Sequence, residues 1–167
     1  MLRKKDFHKV IIGRSEGLSI VDLDISDIPA KTDTGAYRSA IHADKVKLNK
    51  EGTLSFILLN GHPICGTMTT DINTEMTTTN FKEVWIANSF GHREKRFEVK
   101  LRVKLGPKVF TAPFTLADRS KKNYPVLLGR KLLSDRFLVD SAESSLSRAR
   151  LKQKYGISFP KDEEEGR

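Results

Sequence analysis

The strongest constraint on the fold is a strict alternation of apolar and charged residues between Arg96 and Leu105. Because successive side chains of a β-strand point to opposite faces of a sheet, this period of two predicts a strand with one buried face. Gly106-Pro107 follows as a turn, and alternate apolar residues from Phe110 to Leu116 predict a returning strand. The apolar face of the first strand comprises Phe97, Val99, Leu101, Val103 and Leu105.

Other short β-rich segments, separated by turn residues, continue this pattern along the chain. Candidate strands are 8–13, 18–23, 28–32, 41–48, 54–60 and 84–86, and the threonine-rich segment 67–79 suits a strand edge. Helical patterns are limited to a short turn at 129–134 and a C-terminal helix at 142–154. We therefore predict one all-β domain over residues 1–167, with a core at about 8–140 and a flexible tail at 155–167.

Composition excludes several classes of protein. One cysteine, Cys65, rules out an intrachain disulfide framework and a cysteine-based zinc site. The apolar segment 10–12 near the N-terminus is too short for a signal peptide, and no stretch has the length of a membrane span, so a cytoplasmic location without membrane attachment is expected. The net charge of +9 favours acidic partners.

The candidate catalytic residue is Asp33, in the tripeptide Asp33-Thr34-Gly35. Alone, this tripeptide is equally typical of a turn, in which an aspartate caps its own backbone and a glycine supplies a positive φ. Here it follows an apolar strand at 28–30 and precedes the small residue Ala36. A second apolar strand, 124–128, leads through Gly129 into a short helix, so the tripeptide does not stand alone.

These two segments, Asp33-Thr34-Gly35-Ala36 and 126–133, resemble the paired motifs of retropepsin-like aspartic proteases. The chain as a whole is similar to a bacterial retropepsin-like family often labelled putative ATP-dependent zinc proteases. The similar segments lie at 31–43, 88–96, 118–119 and 125–140. The resemblance implies a retropepsin-like closed β-barrel, with a short helix after the Leu-Leu-Gly-Arg strand.

The resemblance also implies a function, that of an aspartic peptidase (a hydrolase). Each subunit of a homodimer would contribute one Asp33, and the two carboxylates, sharing a proton, would activate water to hydrolyse a peptide bond. Thr34 would hold the loop across the interface, and Gly35 would allow the substrate backbone to approach. The expected substrate is a peptide or protein, with acidic or glutamate-modified tails favoured by the basic charge.

Further site residues follow from the same resemblance. The segment 88–94 corresponds to a hairpin that could close over substrate as a flap, with Gly91 as its hinge and His92 and Arg93 facing an acidic substrate; an ordinary solvated hairpin is the equal alternative. Arg130 occupies the position of an arginine that supports the active-site loop through an acidic partner. Tyr37 and Arg38 stand where that partner is expected, which leaves Arg38 and Arg130 as candidates for binding substrate carboxylates.

No cofactor or metal is predicted. The four histidines (His8, His42, His62 and His92) are never at ligand spacing, and no phosphate-binding glycine loop is present. Two alternatives stay open: a peptidase fold that is latent, since residues 37–38 depart from the common pattern, and a non-catalytic basic β-barrel that binds RNA or ribosomal components. The second depends on Lys100, Arg102 and Lys104, whose alternation is more typical of a solvated strand face, so nucleic acid is an unlikely partner.

Overall fold

The computed structural model describes residues 8–65, 73–88, 90–146 and 148–156. Strands dominate these ranges, two short α-helices lie in the C-terminal part of the chain, and a single 3-10 turn at Val21–Leu23 occupies the end of the predicted strand 18–23. The strands are β1 (Val10–Ile12), β2 (Ser15–Ile20), β3 (Ile25–Thr32), β4 (Ser39–Leu48), β5 (Leu54–Leu58), β6 (Glu75–Thr78), β7 (Phe81–Ala87), β8 (Arg93–Leu105), β9 (Lys108–Ala117), β10 (Val126–Leu128) and β11 (Phe137–Val139); the helices are α1 (Arg130–Leu133) and α2 (Arg148–Tyr155).

Six of these strands pair in a closed cycle, in the order β10-β3-β2-β8-β9-β4, because β10 pairs with both β3 and β4. The longest pairing joins β8 and β9 in an antiparallel hairpin that turns at Gly106, whose φ is +57°. Strands β5 and β6 extend the sheet beyond β4, and β7 pairs with β8. Strands β1 and β11 form a separate parallel pair.

The alternation in β8 places its apolar residues where the sequence predicted. Val99, Leu101, Val103 and Leu105 are buried in the main core, and Phe97 packs against it. Lys100, Arg102 and Lys104 are exposed on the opposite face. A second, small cluster joins Ile64 and Tyr124 to Leu151 of α2. The C-terminal helix is therefore attached to the barrel by apolar packing.

The predicted all-β class is confirmed, as is the short helix that follows β10. The C-terminal helix begins at Arg148, six residues later than expected at Ala142. The reason is that the Ser144 and Ser145 side chains bond to β2: the two hydroxyls of Ser15 and Ser144 lie 2.6 Å apart, and Ser145 donates to the Ser15 carbonyl. Residues 157–167 of the predicted tail, and 67–72 of the threonine-rich segment, lie outside the described residues.

No helix within the described ranges combines the length and the apolar character that crossing a bilayer requires.

Candidate functional site

Asp33 lies where two neighbouring parallel strands end together. Thr32, the last residue of β3, pairs with Leu128, the last residue of β10. The N–H of Asp33 donates to the Leu128 carbonyl at 2.9 Å. The Thr32 hydroxyl lies 3.0 and 2.9 Å from the carbonyl oxygens of Gly13 and Arg14, which ties the strand end to the start of β2. The backbone that carries Asp33 is thus fixed from both sides.

The Asp33 carboxylate has one anchored oxygen and one open oxygen. Oδ1 accepts the N–H of Gly35 at 2.9 Å and that of Ala36 at 3.1 Å, so the tripeptide forms a capped turn. Within the described part of the chain, Oδ2 has no hydrogen-bond partner. A half-buried carboxylate held in this way keeps one oxygen available to exchange a proton with a bound group.

Gly129 and Arg130 support the loop that carries Asp33. The Arg130 N–H donates to the Ala36 carbonyl at 2.8 Å, and the Arg130 guanidinium Nη1 donates to the carbonyls of Thr34 and Gly35 at 3.0 and 2.9 Å. The arginine expected to bind an acidic partner or substrate thus binds backbone oxygens of the loop. A forked, permanently charged donor suits this arrangement, since it can reach two carbonyls at once.

Arg38 makes an ion pair within the chain, and its role in binding substrate carboxylates stays a prediction. Its guanidinium Nη1 is 2.5 Å from Oε2 of Glu98, in the middle of β8, so the side chain is engaged by an acid of the same chain. Sequence reasoning missed Glu98. The signal was present, because Glu98 is the one acidic residue among the charged positions of the alternating segment 96–105.

A cleft of about 260 Å³ opens beside Asp33. Its wall is basic and partly aromatic, and it is lined by Lys31, Asp33, Arg119, Lys122, Asn123, Tyr124 and Leu127. Lys31 and Lys122 are exposed, and the Arg119 side chain donates through Nε to the Tyr124 carbonyl at 3.0 Å. None of these basic residues was singled out from the sequence, although Lys31 and Arg119 lie in segments that carry the family resemblance.

The hairpin between β7 and β8 has the geometry of a tight turn. The Asn88 N–H donates to the His92 carbonyl at 2.9 Å, and Asn88 Oδ1 accepts the N–H groups of Phe90 and His92. Gly91 has a φ of +79°, and the Arg93 guanidinium lies 5.8 Å from the centre of the Trp85 ring. The role of this hairpin as a flap over substrate stays a prediction.

Within the described residues, no group of three or more histidine, cysteine, aspartate or glutamate side chains is arranged to hold a metal ion.

A family model described as "Retropepsin-like aspartic endopeptidase RimB" matches residues 11–150. Curated relatives carry a different name. A protein named "Probable alpha-L-glutamate ligase" from Desulfotalea psychrophila is 30% identical over 159 residues, covering 95% of this chain and 34% of the relative. A protein of the same name from Shewanella pealeana is 28% identical over 158 residues, covering 92% of this chain and 34% of the relative. The chain thus spans about a third of the length of these relatives.

A solved structure has a similar fold. A Legionella pneumophila protein of unknown function is 28% identical, with a TM-score of 0.59, covering 81% of this chain and 95% of that one. Both the family description and the names of the curated relatives denote enzymes, which supports an enzymatic role. The match to the family model confirms the retropepsin-like resemblance.

The functional prediction drawn from the sequence requires correction. It specified an aspartic peptidase whose dyad forms across a homodimer, with an RNA-binding barrel as the alternative. The curated relatives are instead named as ligases, which are enzymes that form bonds. Their name contradicts both the peptidase and the RNA-binding alternative. The homodimer itself stays a prediction.

Proposed function

We propose that this chain, which belongs to the retropepsin-like family described as "Retropepsin-like aspartic endopeptidase RimB", is an enzyme unit that acts on chains of α-linked L-glutamate. The names of the curated relatives specify α-L-glutamate, and this chain matches about a third of the length of those relatives. A chain of such residues is the ligand we propose for the matched part. The site proposed for it is the cleft beside Asp33.

The observation that carries this proposal is the basic wall of the cleft. Lys31, Arg119 and Lys122 line the same space as the Asp33 carboxylate. A glutamate chain presents a carboxylate at every residue, and ammonium and guanidinium groups are the side chains that bind carboxylates. A neutral peptide gains nothing from such a wall, whereas a glutamate chain exchanges water for charge-assisted hydrogen bonds.

The reaction class is the finer part of the proposal. The family description denotes a hydrolase, whereas the names of the relatives denote bond formation. Both reactions are assisted by a general base that takes a proton from the attacking group, which is water in one and an amino group in the other, and a carboxylate can fill this role. Asp33 is assigned this role because it lines the cleft and its Oδ1 is held by the N–H groups of Gly35 and Ala36, whereas its Oδ2 has no hydrogen-bond partner among the described residues.

The experiment uses a peptide that ends in four α-linked glutamates and a matched peptide that ends in four glutamines. Mass spectrometry follows both the loss of glutamate and, with ATP and free glutamate added, its addition. We expect a change in the glutamate peptide alone, abolished by Asp33→Asn, in which the side-chain oxygen can still accept the loop N–H groups. Equal turnover of both peptides, or full activity of Asp33→Asn, would contradict the proposal.

Binding is measured separately from turnover. The double variant Lys31→Gln/Lys122→Gln should weaken binding of the glutamate peptide by about tenfold or more, from the loss of two charge-assisted contacts. A matched control removes the same charge elsewhere: Lys100→Gln/Lys104→Gln lies on the exposed face of β8. If both double variants weaken binding equally, general charge attraction accounts for the affinity and the cleft is not the site.

A further inference from the structure

Two histidines outside the Asp33 loop are buried side by side. His42, in β4, is 3% exposed, and His62, in the turn that follows β5, is 2% exposed. Their ring centroids lie 5.4 Å apart, with the planes inclined at 65°. A buried polar side chain destabilises the fold unless its hydrogen-bonding groups are satisfied. The partners of the four ring nitrogens therefore indicate what these residues do.

The partners of His42 fix its protonation state. Nδ1 accepts the backbone N–H of Arg119 at 2.9 Å, and Nε2 lies 2.7 Å from the carbonyl oxygen of Asn60. A backbone N–H can only donate and a carbonyl can only accept. Nε2 must therefore carry the proton, and the ring is neutral in this tautomer.

His62 has the same tautomer, for the same reason. Its Nδ1 accepts the N–H of Ile64 at 3.2 Å, and its Nε2–H donates to the carbonyl of Lys122 at 2.9 Å. Burial lowers the pKa of His62 to about 4, so the ring remains neutral at neutral pH.

Both rings bind one turn of the backbone. His42 holds the N–H of Arg119, His62 holds the carbonyl of Lys122, and the turn is closed by a bond of 2.9 Å from the Lys122 N–H to the Arg119 carbonyl. These two residues supply two of the three basic side chains of the Asp33 cleft. The histidines are thus connected to the cleft through the backbone that carries its charges.

We propose that His42 and His62 are positioning residues, which fix the turn 119–122 so that its basic side chains face the Asp33 cleft and set its preference for a carboxylate chain. This inference rests on the proposed function, because the glutamate chain is the ligand whose binding reports the position of the turn. Neither ring touches that ligand. Each acts through one hydrogen bond to the backbone.

The two sites make opposite demands on a replacement. At position 42 the bond to the turn uses Nδ1, an acceptor that the Oδ1 of asparagine can replace. At position 62 it uses Nε2–H, a donor that the more distant amide nitrogen of glutamine can replace. His42→Asn and His62→Gln should therefore keep the turn in place, whereas His42→Gln and His62→Asn should release it. If only the size of the replacing side chain mattered, the same amino acid would be the better replacement at both positions.

The experiment measures binding of a fluorescent tetra-α-L-glutamate peptide by anisotropy, with the tetra-glutamine peptide as a reference. His42→Gln and His62→Asn should each weaken glutamate binding by about five- to tenfold, the effect of one lost hydrogen bond. His42→Asn and His62→Gln should stay within about threefold of the unchanged chain. If the same amino acid, Asn or Gln, gave the tighter glutamate binding at both positions, in variants with normal circular dichroism, the proposal would be overturned.

Failure of the proposed function gives a different result. If the unchanged chain does not bind the glutamate peptide, the proposed function fails, and hydrogen exchange of the Lys122 N–H then decides whether the histidines hold the turn. Faster exchange in His42→Gln and His62→Asn than in the two other variants supports a role of the histidines in holding the turn. Equal exchange rates in all four variants overturn it. Should the variants not fold, the imidazole ¹⁵N shifts of the unchanged chain decide: both rings as Nε2–H tautomers at neutral pH support the proposal, and any other state overturns it.

Discussion

The guanidinium of Arg38 and the carboxylate of Glu98 lie 2.5 Å apart and join the loop after Asp33 to the middle of β8. Glu98 is 7% exposed, so this pair is largely removed from water on its acidic side. A second contact holds the same loop, because the Lys131 N–H donates to the Tyr37 carbonyl at 3.0 Å. The position of Asp33 thus depends on two contacts far apart in sequence.

We expect Glu98→Gln to destabilise the chain by about 2 kcal/mol, because it leaves the charge of Arg38 without its counter-ion in a partly buried place. Glu94→Gln is the matched control, since Glu94 pairs with Arg96 at the exposed end of the same strand. That change should alter the free energy of unfolding by less than about 0.5 kcal/mol. Urea denaturation measures both free energies of unfolding. Equal losses in the two variants would show that the Arg38–Glu98 pair stabilises the chain no more than the exposed pair does.

Gly129→Ala should displace the Asp33 loop. A Cβ at Gly129 would lie 2.5 Å from the Arg38 carbonyl oxygen and 2.9 Å from that of Tyr37, both backbone atoms that cannot move aside cheaply. We expect a loss of about 3 kcal/mol in the free energy of unfolding. Gly91→Ala is the contrast, because that residue has open space around it and only its φ of +79° resists a side chain. Its expected cost is about 1 kcal/mol.

Arg130→Met tests whether this arginine serves the reaction or the fold. The change removes the bonds from Nη1 to the carbonyls of Thr34 and Gly35, but the side chain is exposed, so the free energy of unfolding should fall by only about 1 kcal/mol. Turnover of the glutamate peptide should fall by about tenfold or more, because the Asp33 carboxylate loses its fixed position. A variant with normal turnover would show that Gly129 and the strand ends hold the loop by themselves.

The sequence predicted the parts of this molecule that depend on local pattern. The period of two in β8 predicted which apolar residues are buried, but it also placed Glu98 on the solvated face, whereas Glu98 is buried against Arg38. The tripeptide at Asp33 is equally typical of a capped turn, and Oδ1 of Asp33 does cap the loop, although Gly35 is not among the glycines with a positive φ. The sequence predicts the C-terminal helix from Ala142, whereas α2 begins at Arg148, because the side-chain bonds of Ser144 and Ser145 to β2 outweigh their helix propensity.

The contacts of the site could not be predicted in the same way. Arg38 and Glu98 are sixty residues apart, and only the pairing of distant strands brings them together. His42 likewise reaches Arg119 because β4 and β9 are parallel neighbours, with His42 beside Ala117. Spacing along the chain does not indicate which distant residues come into contact. From the sequence, the histidines can be assessed only by their separation from one another.

The stability of the chain should fall as the pH is lowered from about 6.5 to about 4. Burial lowers the pKa of His62 from 6.5 to about 4. Between these values the unfolded chain binds a proton that the folded chain excludes, so protonation favours unfolding. Above pH 6.5 neither state binds it and the full stability is present.

Urea denaturation at pH 7, 5.5 and 4 measures this loss, and His62→Gln is the control that identifies its source. Glutamine keeps the donor to the Lys122 carbonyl but does not titrate, so the variant should lose less stability than the unchanged chain across the same interval. The carboxylates titrate in both proteins, and their contribution cancels in the difference. Identical pH profiles would mean that His62 accepts a proton as readily in the folded chain as in the unfolded one.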